Sequence, residues 1–205
     1  MSASPAIHVI HENSEWSAPL FTALDGRGAP WVDWHMGDRP LDLDTPPAGI
    51  FYNRMSASSH TRGHRYAPEM TIGLLHWLEA HGAHVVNGSR AIALEVNKVA
   101  QYAALSRAGL AAPRTIACHT NAQLLAAYDR FDGQPVITKH NRAGKGLGVK
   151  LFREREALTD YVDGAAFDPS IDGITLLQQY VEAPEPFITR VEFIGQQFFY
   201  AVRVD

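Results

Sequence analysis

The sequence predicts a mixed fold, a parallel α/β unit followed by an α+β unit. Three observations carry this reading. Up to residue 86, short apolar strand-like runs alternate with helix-length stretches of apolar periodicity. Beyond residue 95 the pattern changes, and the last two strands follow each other directly in the manner of an antiparallel hairpin. Between two of those strands lies a glycine-studded loop, in the stretch 136–149 (VITKHNRAGKGLGV).

In the first unit Ala6–Ile10 reads as a buried strand and Glu15–Leu24 as a helix that ends near Gly26. Pro30–His35 is a second strand. Residues 36–48 are dense in Gly, Pro and Asp and form a loop. Gly49–Tyr52 is a short strand. Ala67–Ala80 is a helix with apolar spacing at Met70, Leu74, Leu75 and Leu78, stopped by Gly82. Ala83–Val86 closes the unit, and strands separated by helices imply a parallel sheet with crossovers. A boundary is expected near residues 88–95. The second unit opens with one long helix, Ala93–Ala108, closed by Gly109. Pro113–Ala117, Pro135–His140, Val149–Phe152 and Ile174–Val181 are strands; Asn121–Arg130 and Glu154–Asp163 are helices. Pro184 and Pro186 break the chain, and Phe187–Ile194 with Gln197–Val204 reads as a hairpin turning at Gly195.

Composition narrows the function classes. The 205 residues are 46% hydrophobic and 20% charged, enough to bury a core in one large or two small domains. A net charge of −4 argues against nonspecific binding to nucleic acid or an anionic membrane. No apolar run reaches the length of a membrane span, and no basic-then-apolar leader is visible. Cys118 is the only cysteine, so no internal disulfide can form. That fits a cytoplasmic protein, with Cys118 read as a small buried residue. A homo-oligomer is compatible with all of this.

Chemistry concentrates in the glycine loop. Glycine lets backbone N–H groups turn toward an anion and approach it closely, and Lys139 at the strand end adds a fixed positive charge. A Walker A loop would need Gly at 139 and Ser or Thr at 146, but these are Lys139 and Gly146. A dinucleotide fingerprint would lead into a helix with different spacing. What remains is a strand–loop–strand flap over the phosphates of a nucleotide, formed by Ala143, Gly144, Lys145, Gly146 and Gly148, or an ordinary flexible hairpin. Lys98 could reach a phosphate as a point charge, or be a solvated helix lysine. Gln178, Gln179, Tyr180 and Val181 end a strand before a Pro-broken linker. Such a segment offers adenine a donor, an acceptor and an amide, or is a plain strand. The loop after Tyr52 carries Arg54, Ser56, Ser58, His60, Arg62 and Arg65, and cationic loops after parallel strands lie where such sheets bind ligands. His60 and His64 are four apart, but no third metal ligand stands near in sequence. On the last two strands Arg190 and Arg203 could approach each other across the hairpin and grip a phosphoryl group, or Arg190 could pair with Glu192 on a solvated face.

These segments occur in an order that resembles the ATP-grasp superfamily, most closely its RimK-like α-L-glutamate ligase branch. The resemblance begins at FYNRMS (51–56) and continues through GAHVVNGSRAI (82–92), Asn97-Lys98 and LSRAGLAAPRT (105–115). It then takes in VITK (136–139), the glycine loop, LLQQYV (176–181) and RVEFIG (190–195). It implies a pre-ATP-grasp α/β domain over 1–92, a small nucleotide-binding subdomain over 93–180, and the start of the large subdomain over 181–205. It implies ATP-dependent joining of a carboxylate to an amine through an acyl-phosphate, with small-molecule or peptide substrates. Lys98 and Lys139 would contact the phosphates under the loop 143–148. Gln178, Gln179 and the backbone of Tyr180 and Val181 would hold adenine. Arg190 and Arg203 would face the reacting phosphoryl group, and Arg54 with the 56–65 loop would bind the acceptor. Ile188 stands where the family usually has an acidic residue, and Gln179 where it usually has a glutamate. The family's Asp…Glu-x-Asn set for Mg²⁺ is expected beyond residue 205, which makes this chain alone an inactive N-terminal portion. A non-catalytic nucleotide-binding or interaction module is the alternative.

Overall fold

A computed structural model describes residues 5–37, 40–144, 146–185 and 187–204. The first sheet has four parallel strands, β1 (Ile7–His11), β2 (Trp31–His35), β3 (Ile50–Asn53) and β4 (His84–Val86), in the order β2-β1-β3-β4. Helix α1 (Ser14–Asp25) starts where the Asn13 side chain accepts from Trp16 N–H. Helix α2 (Ala67–Ala80) buries Thr71, Leu74, Leu75 and Leu78 against Ile10, Trp34 and Phe51. Met70, expected on that apolar face, is exposed; Thr71 takes the inward position and returns its hydroxyl to the Ala67 carbonyl at 2.8 Å. Gly82, at φ +72°, turns the chain out of α2 in the left-handed region where a side chain would be strained.

The single helix expected over 93–108 is two helices, α3 (Ser89–Glu95) and α4 (Lys98–Arg107). The break has a local cause: Asn97 is extended, and its side chain accepts from Ala100 N–H at 3.1 Å, capping α4. Ile92 of α3 packs into the core of the first sheet.

The second sheet is four-stranded and antiparallel. Its strands are β5 (Thr115–Cys118), β6 (Val136–His140), β7 (Lys150–Phe152) and β8 (Thr175–Gln179), in the order β5-β8-β6-β7. One face packs on α5 (Asn121–Tyr128) and α6 (Arg155–Asp163) through Cys118, Val136, Phe152 and Leu177. Cys118 is buried, which pushes its thiol pKa up and suits a packing residue. The other face carries Lys139 opposite Leu176 and Ile137 opposite Gln178. Strands β9 (Ile188–Ile194) and β10 (Gln197–Val204) form a separate antiparallel ribbon turning at Gly195. No described helix is long and apolar enough to cross a membrane.

Candidate nucleotide site

Strand β6 and the residues after it organise the site. Alternation along the strand places Lys139 on the face away from α5 and α6. Asn141, fully buried, docks the start of α4: its side chain accepts from Val99 N–H at 3.0 Å, and its carbonyl accepts from Lys98 N–H at 3.3 Å. Asp172 fixes the Asn141 amide in turn, at 2.6 Å. Lys98, the first residue of α4, then reaches the loop backbone, donating to the Ala143 carbonyl at 2.6 Å and the Asn141 carbonyl at 3.3 Å.

Lys98, Lys139, Ala143, Gly144, Gly146, Leu147 and Val149 line one cavity of about 240 Å³. Burial, and then the charge of Lys139, lower the Lys98 pKa. Two ammonium groups at one cavity repel each other, and an anion between them would relieve that repulsion. Glycine is required at 148: φ is +70°, and an added Cβ would meet the buried His140 ring at 2.0 Å. The Gly148 carbonyl accepts from Thr138 Oγ1 at 2.8 Å, which ties the loop back onto β6. Lys145 lies outside the described residues.

Helix α4 also covers the Gln178 end of the same sheet face. Tyr102, one turn after Lys98, accepts from Gln178 Nε2, as does Thr115 Oγ1 at 2.8 Å. The Gln178 amide, read as an adenine ligand, is therefore buried with its N–H donors engaged. Tyr180 N–H is likewise taken by the Pro135 carbonyl at 2.9 Å. The Tyr180 carbonyl and the Val181 N–H remain unpaired among the described residues, one acceptor beside one donor. Gln179 is exposed, and its N–H donates to the Arg114 carbonyl.

The loop after β3 abuts the glycine loop, with Ser58 Cβ at 3.9 Å from where a Gly144 Cβ would stand. Ser56 and Ser58 hydroxyls bond each other at 2.9 Å. Arg62 is engaged by the buried Glu12 carboxylate and lies over Trp16. Arg65 pairs with Glu69 at 2.7 Å. Glu69 also takes Arg142, the residue after Asn141, at 2.6 Å, and Arg142 donates to the Arg65 carbonyl. Burial pushes the Glu69 pKa up, but the bonds from Arg142 and Arg65 outweigh it and hold the carboxyl at about 2. Burial lowers the His60 pKa, and its Nδ1 has no hydrogen-bond partner among the described residues. Among the described residues no three His, Cys, Asp or Glu side chains converge as a metal site, so the His60–His64 spacing acquires no third ligand. Arg54 stands apart from these residues. It lines a second cavity of about 240 Å³ with Asn53, Asn87 and Glu95, and makes no ion pair among the described residues.

The hairpin arginines require a correction. Arg190 is registered with Val202, and Arg203 with Thr189. Directly opposed residues share a face and neighbours alternate, so the two arginines project from opposite faces and do not approach each other. Arg190 bonds Glu192 at 2.8 Å, and Arg203 stacks on Phe187 at 3.6 Å. Sequence reading missed Tyr102 and Asn141. The one-turn spacing of Lys98 and Tyr102 was visible, but not the sheet face it would cover.

A family model described as the RimK-like ATP-grasp domain matches residues 95–204. Ribosomal protein bS6–L-glutamate ligase of Escherichia coli O139:H28 (strain E24377A / ETEC) is 27% identical over 128 residues, 62% of this chain. The chain matches 42% of that relative's length. Two solved structures share the fold. A RimK domain ATP-grasp protein from Sphaerobacter thermophilus DSM 20745 has a TM-score of 0.65 at 21% identity, over 91% of this chain and 68% of that one. D-alanyl-alanine synthetase A from Vibrio cholerae O1 biovar eltor str. N16961 has a TM-score of 0.68 at 14% identity, over 97% and 66%. With the match spanning more than half of its residues and enclosing both lysines and the glycine loop, this chain belongs to the RimK-like ATP-grasp domain family.

Proposed function

We propose that this chain supplies the nucleotide-binding part of an ATP-dependent ligase that joins a carboxylate to an amine. The observation that carries the reading is the convergence of Lys98, Lys139 and the glycine loop on one cavity. Lys98 and Lys139 neutralise the ATP phosphates, and the 143–148 loop covers them with backbone N–H groups. The Val181 N–H and Tyr180 carbonyl hold the base. A substrate carboxylate oxygen attacks the γ-phosphorus and ADP leaves. The amine then attacks the acyl carbon of the acyl-phosphate and inorganic phosphate leaves. Arg54, which makes no ion pair among the described residues, orients the acceptor, a small molecule or a peptide. Of Arg190 and Arg203 only one can face the reacting phosphoryl group, because they occupy opposite faces.

Mg²⁺ would supply neutralisation of phosphate charge. The described residues form no site for it, so no residue here is assigned to it. We place the domain limits at 1–92, 93–180 and 181–205, and assign the protein to the cytoplasm.

Titration with a non-hydrolysable ATP analogue tests the reading. Lys139→Ala should weaken binding about tenfold or more, the loss of a charge-assisted contact, with thermal unfolding unchanged. Unchanged affinity in a folded variant removes Lys139 from the site.

A further inference from the structure

A cavity of about 450 Å³ shares no lining residue with the one that holds both lysines. It opens under the 40–47 loop on the α2 face of the first sheet, and His8, near the start of β1, lines it. Trp34 and Trp77 contribute aromatic wall. Asp42 and Asp44 also line it; Asp42 Oδ1 accepts from Asp44 N–H at 3.0 Å, and neither side chain makes an ion pair among the described residues. No Lys or Arg is among the described residues that line the cavity. His8 is buried, and its Nε2 lies 3.2 Å from the Ala48 carbonyl, which can only accept, so Nε2 donates; Nδ1 is buried and has no hydrogen-bond partner among the described residues.

The chemistry of the lining is one-sided. Two carboxylates and two tryptophan side chains favour a positively charged group that donates hydrogen bonds. Tryptophan is the side chain over which such a cation sits best. An anion would meet two carboxylates, and a neutral apolar group would leave them unmatched. We propose that this cavity is a second binding site, specific for an alkylammonium or guanidinium group. It is independent of the nucleotide cavity. The cation comes either from a free amine or from a basic side chain on a peptide.

The test is titration of the chain, followed by tryptophan fluorescence and calorimetry, with cadaverine, with the blocked tripeptide Gly-Lys-Gly, and with Gly-norleucine-Gly as its uncharged isostere. Saturable binding of a cationic probe, with the isostere at least about tenfold weaker, supports the site; tighter cadaverine identifies a free amine, and tighter tripeptide a peptide side chain. Asp42→Asn with Asp44→Asn, both on the exposed loop, should weaken the cationic probe by about tenfold and leave ATP-analogue affinity unchanged. Lys139→Ala should do the reverse, so that failure here and failure of the nucleotide reading are separable. Equal binding of the isostere, the absence of saturable binding, or an Asn pair without effect overturns the proposal.

Discussion

Two β-regions of this chain have similar apolar content and opposite fates. In the antiparallel sheet Leu176 and Leu177 are 0% exposed, whereas in the terminal hairpin Phe198 is 63% and Ile194 66% exposed. Both regions are antiparallel ladders, that of the hairpin interrupted by one register shift between Phe198 and Tyr200. The difference lies in what covers them. Helices α5 and α6 close one face of the sheet and α4 reaches over the other, while every residue of the hairpin except Glu192 is exposed. Strand formation and strand burial are thus separate events: pairing satisfies the backbone, and burial requires an apolar surface from elsewhere.

That contrast predicts a graded set of outcomes. The largest belongs to the covered sheet. Leu177→Ala should cost about 2–5 kcal/mol, a lost side chain plus an unfilled cavity, measured by denaturant unfolding. A cost near zero would mean that the two regions are equally loose.

An intermediate effect is expected where the two bodies are latched through Arg142 and Glu69. Arg142→Met should cost about 1–2 kcal/mol; Glu69, its carboxyl half-exposed, keeps Arg65 and regains water, which limits the loss. The pH dependence has a definite sign. The folded carboxyl is held at about 2 against an ordinary 4.5, so its contribution is complete above pH 4.5 and is lost as pH falls toward 2. Glu69→Gln should flatten the stability profile in that window, with the loss greatest above pH 4.5 and smallest near pH 2; an unaltered acid limb would show that the latch does not operate.

The smallest effect belongs to the hairpin. Phe199→Ser should change stability by no more than about 0.5 kcal/mol, because an exposed side chain loses little on truncation. A cost near that of Leu177→Ala would sharpen the comparison differently, by revealing that the hairpin is covered in solution.

Much of this was legible in the residues. The strands of both sheets lie where apolar runs and breakers put them, and α2 runs over Ala67–Ala80 as its periodicity required. Gly144, Gly146 and Lys139 stood out through backbone freedom and charge, and they line one cavity. The split at Asn97 was not read, because a capping side chain outweighed helix propensity over one turn. Nor was the engagement of Arg62 with Glu12, fifty residues apart, or of Gln178 with Tyr102, since a polar side chain does not declare its partner along the chain.

The sequence by itself determined the local order: which segments are strands, which glycines can turn, and which lysine stands at a strand end. These follow from side-chain periodicity and backbone sterics, which act over a few residues. Only the tertiary structure decided that Lys98 meets Lys139, that Arg190 and Arg203 part to opposite faces, and that an aromatic and acidic cavity opens under residues 40–47. Those outcomes depend on register and on the packing of distant elements, and neither is written in any single stretch of chain.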